Sequence, residues 1–144
     1  MRLFMFTLVL LYSTWCLAET SSQGSQQFGN YEIHYSILPS SFIQPEVAAA
    51  AGVKRSKYES LINISVTRHG EYGGLPTQLS GTVTNLMQQQ KVLQFNEINE
   101  QSVVYYLAPV RVASEEVVHF EVVAQLADSE PFTLKFSTKL YPDK

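Results

Sequence analysis

Cysteine is nearly missing from this chain. Cys16 is the only one among 144 residues, and it lies in the apolar leader rather than in the body. Without a body cysteine, thiol catalysis, thiolate metal sites and disulfides are excluded together. Aspartate is almost as scarce, occurring at Asp128 and Asp143 alone, which leaves little to orient a histidine in a serine triad. No Gly-x-Ser-x-Gly elbow is present, and no glycine-rich loop precedes a helix to cradle phosphate. Glu115 and Glu116 are adjacent, and neighbours in extended chain point to opposite faces, so they do not make a cooperating carboxylate pair. Positive charge is also thin, with 10 Lys and Arg against 13 Asp and Glu for a net charge of −3. These charges are interspersed, so the clustered basic surface that binds nucleic acid or acidic membranes is lacking.

Long hydrophobic runs are confined to the start. Met1 and Arg2 precede an apolar stretch from Leu3 to Leu17, broken by Ser13 and Thr14. One positive charge, a short apolar segment and small residues before polar chain make a secretory signal peptide over residues 1–18, with cleavage after Ala18. A membrane anchor would need about 20 apolar residues, more than this run supplies. A lipid on Cys16 is disfavoured by bulky Trp15 directly before it. Residues 19–27, rich in Ser, Gln and Gly, read as a flexible tether. Residues 28–144 are one domain's worth of chain, whose fold must rest on its core without disulfides. No membrane span is expected after the leader is removed.

The body repeats one unit, a short strand followed by a polar turn. Tyr31, Ile33, Tyr35 and Ile37 alternate with Glu32, His34 and Ser36, the period-2 pattern of a half-buried strand. The one helical candidate falls within Ser40–Gly52. Pro45 suits a first helical position, Glu46 the positive end of the dipole, Ala48–Ala51 the interior and Gly52 a left-handed cap. Lys54, Arg55 and Lys57 follow the negative helix end. Further strands are expected over Leu61–Thr67, Thr77–Leu86, a short stretch around Leu93 and Phe95, Val103–Val112, Val117–Leu126 and Phe132–Leu140. Val103–Val112 is apolar on both faces, so the helical segment is expected to cover Val104 and Tyr106 with Phe42 and Val47. The fold predicted is an antiparallel, immunoglobulin-like β-sandwich of about seven strands with one short helix after the first. A small barrel is the alternative.

Several segments resemble an uncharacterised family of exported bacterial proteins, domain of unknown function 4426. They are Tyr31-Glu32-Ile33-His34-Tyr35, Pro45-Glu46-Val47-Ala48, Gly52-Val53-Lys54-Arg55-Ser56 and Leu61-Ile62-Asn63-Ile64-Ser65-Val66, with Leu134-Lys135-Phe136 and Leu140-Tyr141-Pro142-Asp143 at the end. The likeness covers nearly the whole mature chain. It implies a periplasmic location, with secretion as the variant, and brings no catalytic residues with it.

The reading for function is a non-catalytic binding module of the cell envelope, requiring no cofactor and taking a protein or cell-wall component as partner. Its candidate contact residues are His34, Arg55, Tyr58, Tyr72, Tyr105 and Tyr106. Tyr58 and Tyr72 sit in turn-like segments, where rings stack on sugars or anchor partners. Their bland alternative is core filling. A histidine-based metal protein is the second reading, with His34, His69 and His119 as weak ligand candidates. His34 and His119 would meet only if their strands were neighbours. A small hydrolase is the third, and a pocket gathering His34, Arg55 and a glutamate would favour it.

Overall fold

The computed structural model describes residues 22–143, so the expected leader at residues 1–18 lies outside the described residues. Nine strands follow in chain order: β1 Gln23–Phe28, β2 Tyr31–Pro39, β3 Glu59–Arg68, β4 Gln78–Asn85, β5 Gln90–Val92, β6 Asn96–Glu100, β7 Val103–Arg111, β8 Glu116–Gln125 and β9 Phe132–Leu140. A 3₁₀ turn, Ser40–Phe42, and the helix α1, Pro45–Ala51, stand between β2 and β3. One sheet runs β1-β2-β3-β7-β6 and the other β5-β4-β8-β9. Every strand pairing is antiparallel.

The sandwich is therefore the fold the alternation called for, built from nine strands rather than about seven. The expected tether is corrected in its second half, where Gln23–Phe28 pairs with β2 from Gln23↔Ser36 to Phe28↔Tyr31. Its Gln, Ser and Gly side chains carry no hydrophobic period, because backbone pairing along an exposed edge asks for none. The strand expected around Leu93 and Phe95 is instead the crossing point between sheets. β5 ends at Val92 in one sheet and β6 begins at Asn96 in the other, and Leu93 is buried on the way.

The main core lies between the sheets. Ile33, Ile62, Ile64, Val66, Ala108 and Val110 from the five-stranded sheet meet Val118, Phe120, Val122, Ala124, Leu134 and Leu140 from the other. Each fully buried side chain of this size stabilises the fold by about 1.5–3 kcal/mol. Rings bridge the layers: Tyr35 stacks on Phe136 at 4.0 Å between centroids, and Phe28 on Phe132 at 4.9 Å.

The helix covers part of the outer face of the five-stranded sheet, with Val47 as expected but without Phe42, and over other residues of β7 than Val104 and Tyr106. Ala51 and Val53 form a second cluster with Leu61, Ile98 and Leu107, joined by Ile43, Val47 and Tyr105. Val104 and Tyr106 share the inward side of β7 with Ala108 and Val110, and they are buried there. The outward residue under the helix is Leu107, while Phe42 stays 72% exposed. Gly52 ends α1 at φ 66°, its N–H bonded back to the helix carbonyls, as a left-handed glycine cap does.

Candidate ligand groove

The helix is only seven residues long, so part of the outer face is left outside its cover. On it Glu32 and His34 of β2 lie beside Asn63, Ser65 and Thr67 of β3, because alternate residues of a strand share a face. Next to them the sheet splits. β3 and β7 pair from Glu59↔Arg111 only as far as Ile64↔Tyr106, and beyond that point the loop leading to β4 enters the gap. Leu75 donates its N–H to the Val66 carbonyl and Val104 donates to the Gly73 carbonyl, both at 2.7 Å.

Glycine makes that insertion possible. Gly74 has φ 73°, and a Cβ on it would stand 2.0 Å from the Val104 carbonyl oxygen, far inside contact distance. The end of the loop is held by Tyr106, whose hydroxyl accepts the Thr77 N–H at 2.8 Å and donates to Glu97 at 3.0 Å. Burial pushes the Tyr106 hydroxyl up from its ordinary pKa; the Thr77 N–H opposes this and Glu97 reinforces it.

The result is a groove of 520 Å³ lined by Glu32, His34, Asn63, Ser65, Thr67, the Gly70–Gly74 loop and Val103–Tyr105. A second hollow of 410 Å³ adjoins it, sharing His34, Asn63 and Ser65 and reaching Gln23, Ser25 and Ser36. Tyr72 at the loop tip is fully exposed. Tyr105 borders the helix-covered part; its hydroxyl is raised in pKa by burial and then by the charge of Glu100, to which it donates a long hydrogen bond of 3.4 Å. Asn63 Oδ1 is buried and has no hydrogen-bond partner.

At one end of the groove, Glu32 gathers two histidines. Its Oε2 lies 4.0 Å from His34 Nε2 and 3.7 Å from His69 Nδ1, while His34 Nε2 also stands 3.2 Å from the Thr67 hydroxyl. Among the described residues, no three of His, Cys, Asp and Glu are assembled as a ready metal site.

Of the candidate residues, the structure thus brings His34, Tyr72 and Tyr105 to one groove, with His69 beside Glu32. The others lie elsewhere. Arg55 donates to the Ser41 carbonyl at 2.8 Å, and Lys57 sits over the Tyr58 ring at 5.0 Å. Both follow the helix, beyond the Pro39 end of β2, so Arg55 does not join His34 and a glutamate. Tyr106 is an inward anchor lining a separate cavity with Pro76, Thr77 and Glu97. His119 belongs to β8 in the opposite sheet, hydrogen-bonded to Ser137, so it does not meet His34. Glu32, Asn63, Ser65 and Thr67 were not singled out in the sequence. The signal for them was the period-2 row that places Glu32 with His34, and Asn63 with Ser65 and Thr67.

The profile of the domain of unknown function DUF4426 matches residues 25–143. The chain belongs to the DUF4426 family. A DUF4426 family protein of Pseudomonas aeruginosa PAO1, known from its crystal structure, superposes with a TM-score of 0.80 at 28% identity, covering 85% of this chain and 98% of its own. A copper-bound glutamate-to-glutamine variant of FetP from uropathogenic Escherichia coli strain F11 aligns with a TM-score of 0.61 at 14% identity, covering 82% of this chain and 94% of its own. FetP as isolated after recombinant expression in the periplasm of E. coli gives 0.57 at 13%, covering 83% and 94%. At these identities FetP shares the fold. No curated protein matches the chain. No helix among the described residues is long and apolar enough to cross a membrane.

Proposed function

We propose that this DUF4426 protein is a non-catalytic binding module of the bacterial cell envelope, with its ligand held in the groove beside the β3–β7 split. The observation that carries the proposal is the split itself. A glycine loop holds the two strands apart and leaves a ring-bordered hollow of 520 Å³, with a row of polar side chains set in a largely apolar lining, within the range of about 300–1,000 Å³ of small-molecule sites. Hydrolysis fits the same residues poorly. Glu32 and the Thr67 hydroxyl both face Nε2 of His34, whereas a triad needs the acid on one ring nitrogen and the nucleophile on the other. The envelope location is supported by the apolar leader and by a fold shared with a protein that was recombinantly expressed in the periplasm.

The test is a thermal-shift screen of cell-wall fragments and short peptides against the wild type and Ser65→Trp, which fills the groove from its floor. Stabilisation of the wild type that vanishes in Ser65→Trp is the expected result. Ligands that stabilise both proteins equally would move the site elsewhere and sink the proposal.

A second reading, a transition-metal site, is favoured by the carboxylate standing between two imidazoles. Donors bonded at about 2.0–2.1 Å to one tetrahedral ion stand about 3.4 Å apart, and the two separations here are 3.7 and 4.0 Å. Both imidazoles are partly exposed, at 43% for His34 and 62% for His69, so each ring has room to turn towards the carboxylate. The FetP variant of the same fold is copper-bound. Titration with Cu(II) or Zn(II) should raise the melting temperature of the wild type and leave Glu32→Gln unchanged; an unmoved wild type removes this reading.

A further inference from the structure

We infer that the ligand of the groove is a neutral oligosaccharide, stacked on Tyr72 and hydrogen-bonded along the outward row of β2 and β3. This rests on the groove being the ligand site. The first argument concerns backbone. An extended peptide binds a sheet by adding a strand to free N–H and C=O groups. In the split those groups are engaged by the protein's own loop, through Leu75 to Val66 and Val104 to Gly73, so a peptide finds no open ladder there.

What the groove offers is side-chain chemistry. Asn63, Ser65 and Thr67 line the larger hollow, and Ser25 and Ser36 continue the row into the adjoining one. Hydroxyls both donate and accept, and a carboxamide does each through a different atom. That is the complement of a molecule whose surface is itself hydroxyl groups. Asn63 supplies a specific vacancy for a donor: its Oδ1 has no hydrogen-bond partner and no access to water, an arrangement that costs stability until a donor arrives. Asn63 lines both hollows and the last torsion of asparagine is broad, so its carboxamide can turn to meet a bound donor.

The rings and the charge narrow the class. Tyr72 presents both faces to solvent at the rim, an apolar platform of the size that one sugar ring covers, and its phenol remains free to hydrogen-bond. Glu32 and Glu71 both line the groove, while neither lysine nor arginine does. An acidic ligand would meet two carboxylates with only histidine as counter-charge, so the saccharide is one without carboxyl or phosphate groups.

Titration of ¹⁵N-labelled protein with chitotriose, maltotriose and trigalacturonic acid tests the inference, with amide shifts located residue by residue. Saturable shifts at Asn63, Ser65, Gly73 and Gly74 with a neutral trisaccharide are expected. Tyr72→Ala should weaken binding about tenfold, the upper end of what a ring stacking contact contributes. The exposed Tyr58→Ala is the control and should leave binding unchanged. Binding of trigalacturonic acid as tight as that of the neutral sugars overturns the inference. So does the lack of any saturable groove shift with either neutral sugar at millimolar concentration. If a peptide or Zn(II) then shifts those amides, the groove reading survives without the sugar. If every ligand from the thermal-shift screen shifts amides elsewhere, both fall.

Discussion

The split between β3 and β7 exists because residue 74 has no side chain, and Gly74→Ala measures how much depends on that. Two costs combine. Alanine at φ 73° occupies left-handed space, which costs roughly 1–2 kcal/mol for a residue with a Cβ. The new methyl would also stand 2.0 Å from the Val104 carbonyl oxygen, so the loop must withdraw. Withdrawal sacrifices the Val104 to Gly73 and Leu75 to Val66 hydrogen bonds, at about 0.5–1.5 kcal/mol each, with more lost if the Val104 N–H remains buried and unpaired. The total is about 2–5 kcal/mol. Gly70→Ala is the internal control, because Gly70 is also left-handed at φ 80° but has nothing within 4 Å of its would-be Cβ. It should lose about 1–2 kcal/mol, the conformational part alone. Urea unfolding followed by circular dichroism gives both values, with an unchanged slope showing that the same surface is exposed. If the two alanine variants unfold within 1 kcal/mol of each other, the loop is not wedged against β7 and the account of the groove is wrong.

Four further outcomes follow from the packing. Tyr106→Phe removes the acceptor of the Thr77 N–H and the donor to Glu97 and should cost about 1–3 kcal/mol, read as a lower urea midpoint. The Tyr106 pKa is raised in the fold, so above pH of about 10 the unfolded chain loses this proton first and stability falls with rising pH. Wild type should therefore weaken more steeply than Tyr106→Phe between neutral pH and pH 11; parallel curves would remove Tyr106 as a cause. Leu107→Ala should cost about 2–5 kcal/mol, whereas Phe42→Ser, at a mostly exposed site, should stay within about 0.5 kcal/mol; the reverse order would restore Phe42 as the cover of β7. Phe28→Ala should cost about 1–2 kcal/mol through its stack on Phe132, and a silent substitution would mean that nothing anchors the end of β1 and return residues 23–27 to a tether.

What the sequence made legible was whatever alternation writes into side chains. β2, β3, β8 and β9 were readable because one face is buried in each, as Val118, Phe120, Val122 and Ala124 show. β1 was not, since all of it before Phe28 is Gln, Gly and Ser that pair through backbone at an edge, and that composition is a linker's. The stretch around Leu93 and Phe95 misled for a related reason: a chain passing from one sheet to the other must bury its passage, and buried apolar residues at short spacing imitate a strand. In β7 both faces are apolar, so parity gave two rows without saying which faced the helix. That choice depends on Ala108 and Val110 meeting the opposite sheet, a contact with partners distant in sequence.

The site was partly visible for the same physical reason. His34 announced itself by type, and Tyr72 by lying in a glycine-rich turn. Glu32, Asn63, Ser65 and Thr67 are ordinary outward residues whose meaning depends on what stops above them. Two structural facts leave a hollow beside them, although Thr67 itself is buried: α1 ends after seven residues, and β7 pairs with β3 no further than Ile64. Neither is a property of any one residue in the row. The helix length is set locally, by Pro45 at its start and Gly52 at its end. The loss of pairing is set by Gly73 and Gly74, which let another stretch of chain take the hydrogen bonds that β7 would have offered β3. A face becomes a groove here because a short helix leaves it open and a glycine pair keeps its neighbour apart, and both causes lie in sequence outside the row they expose.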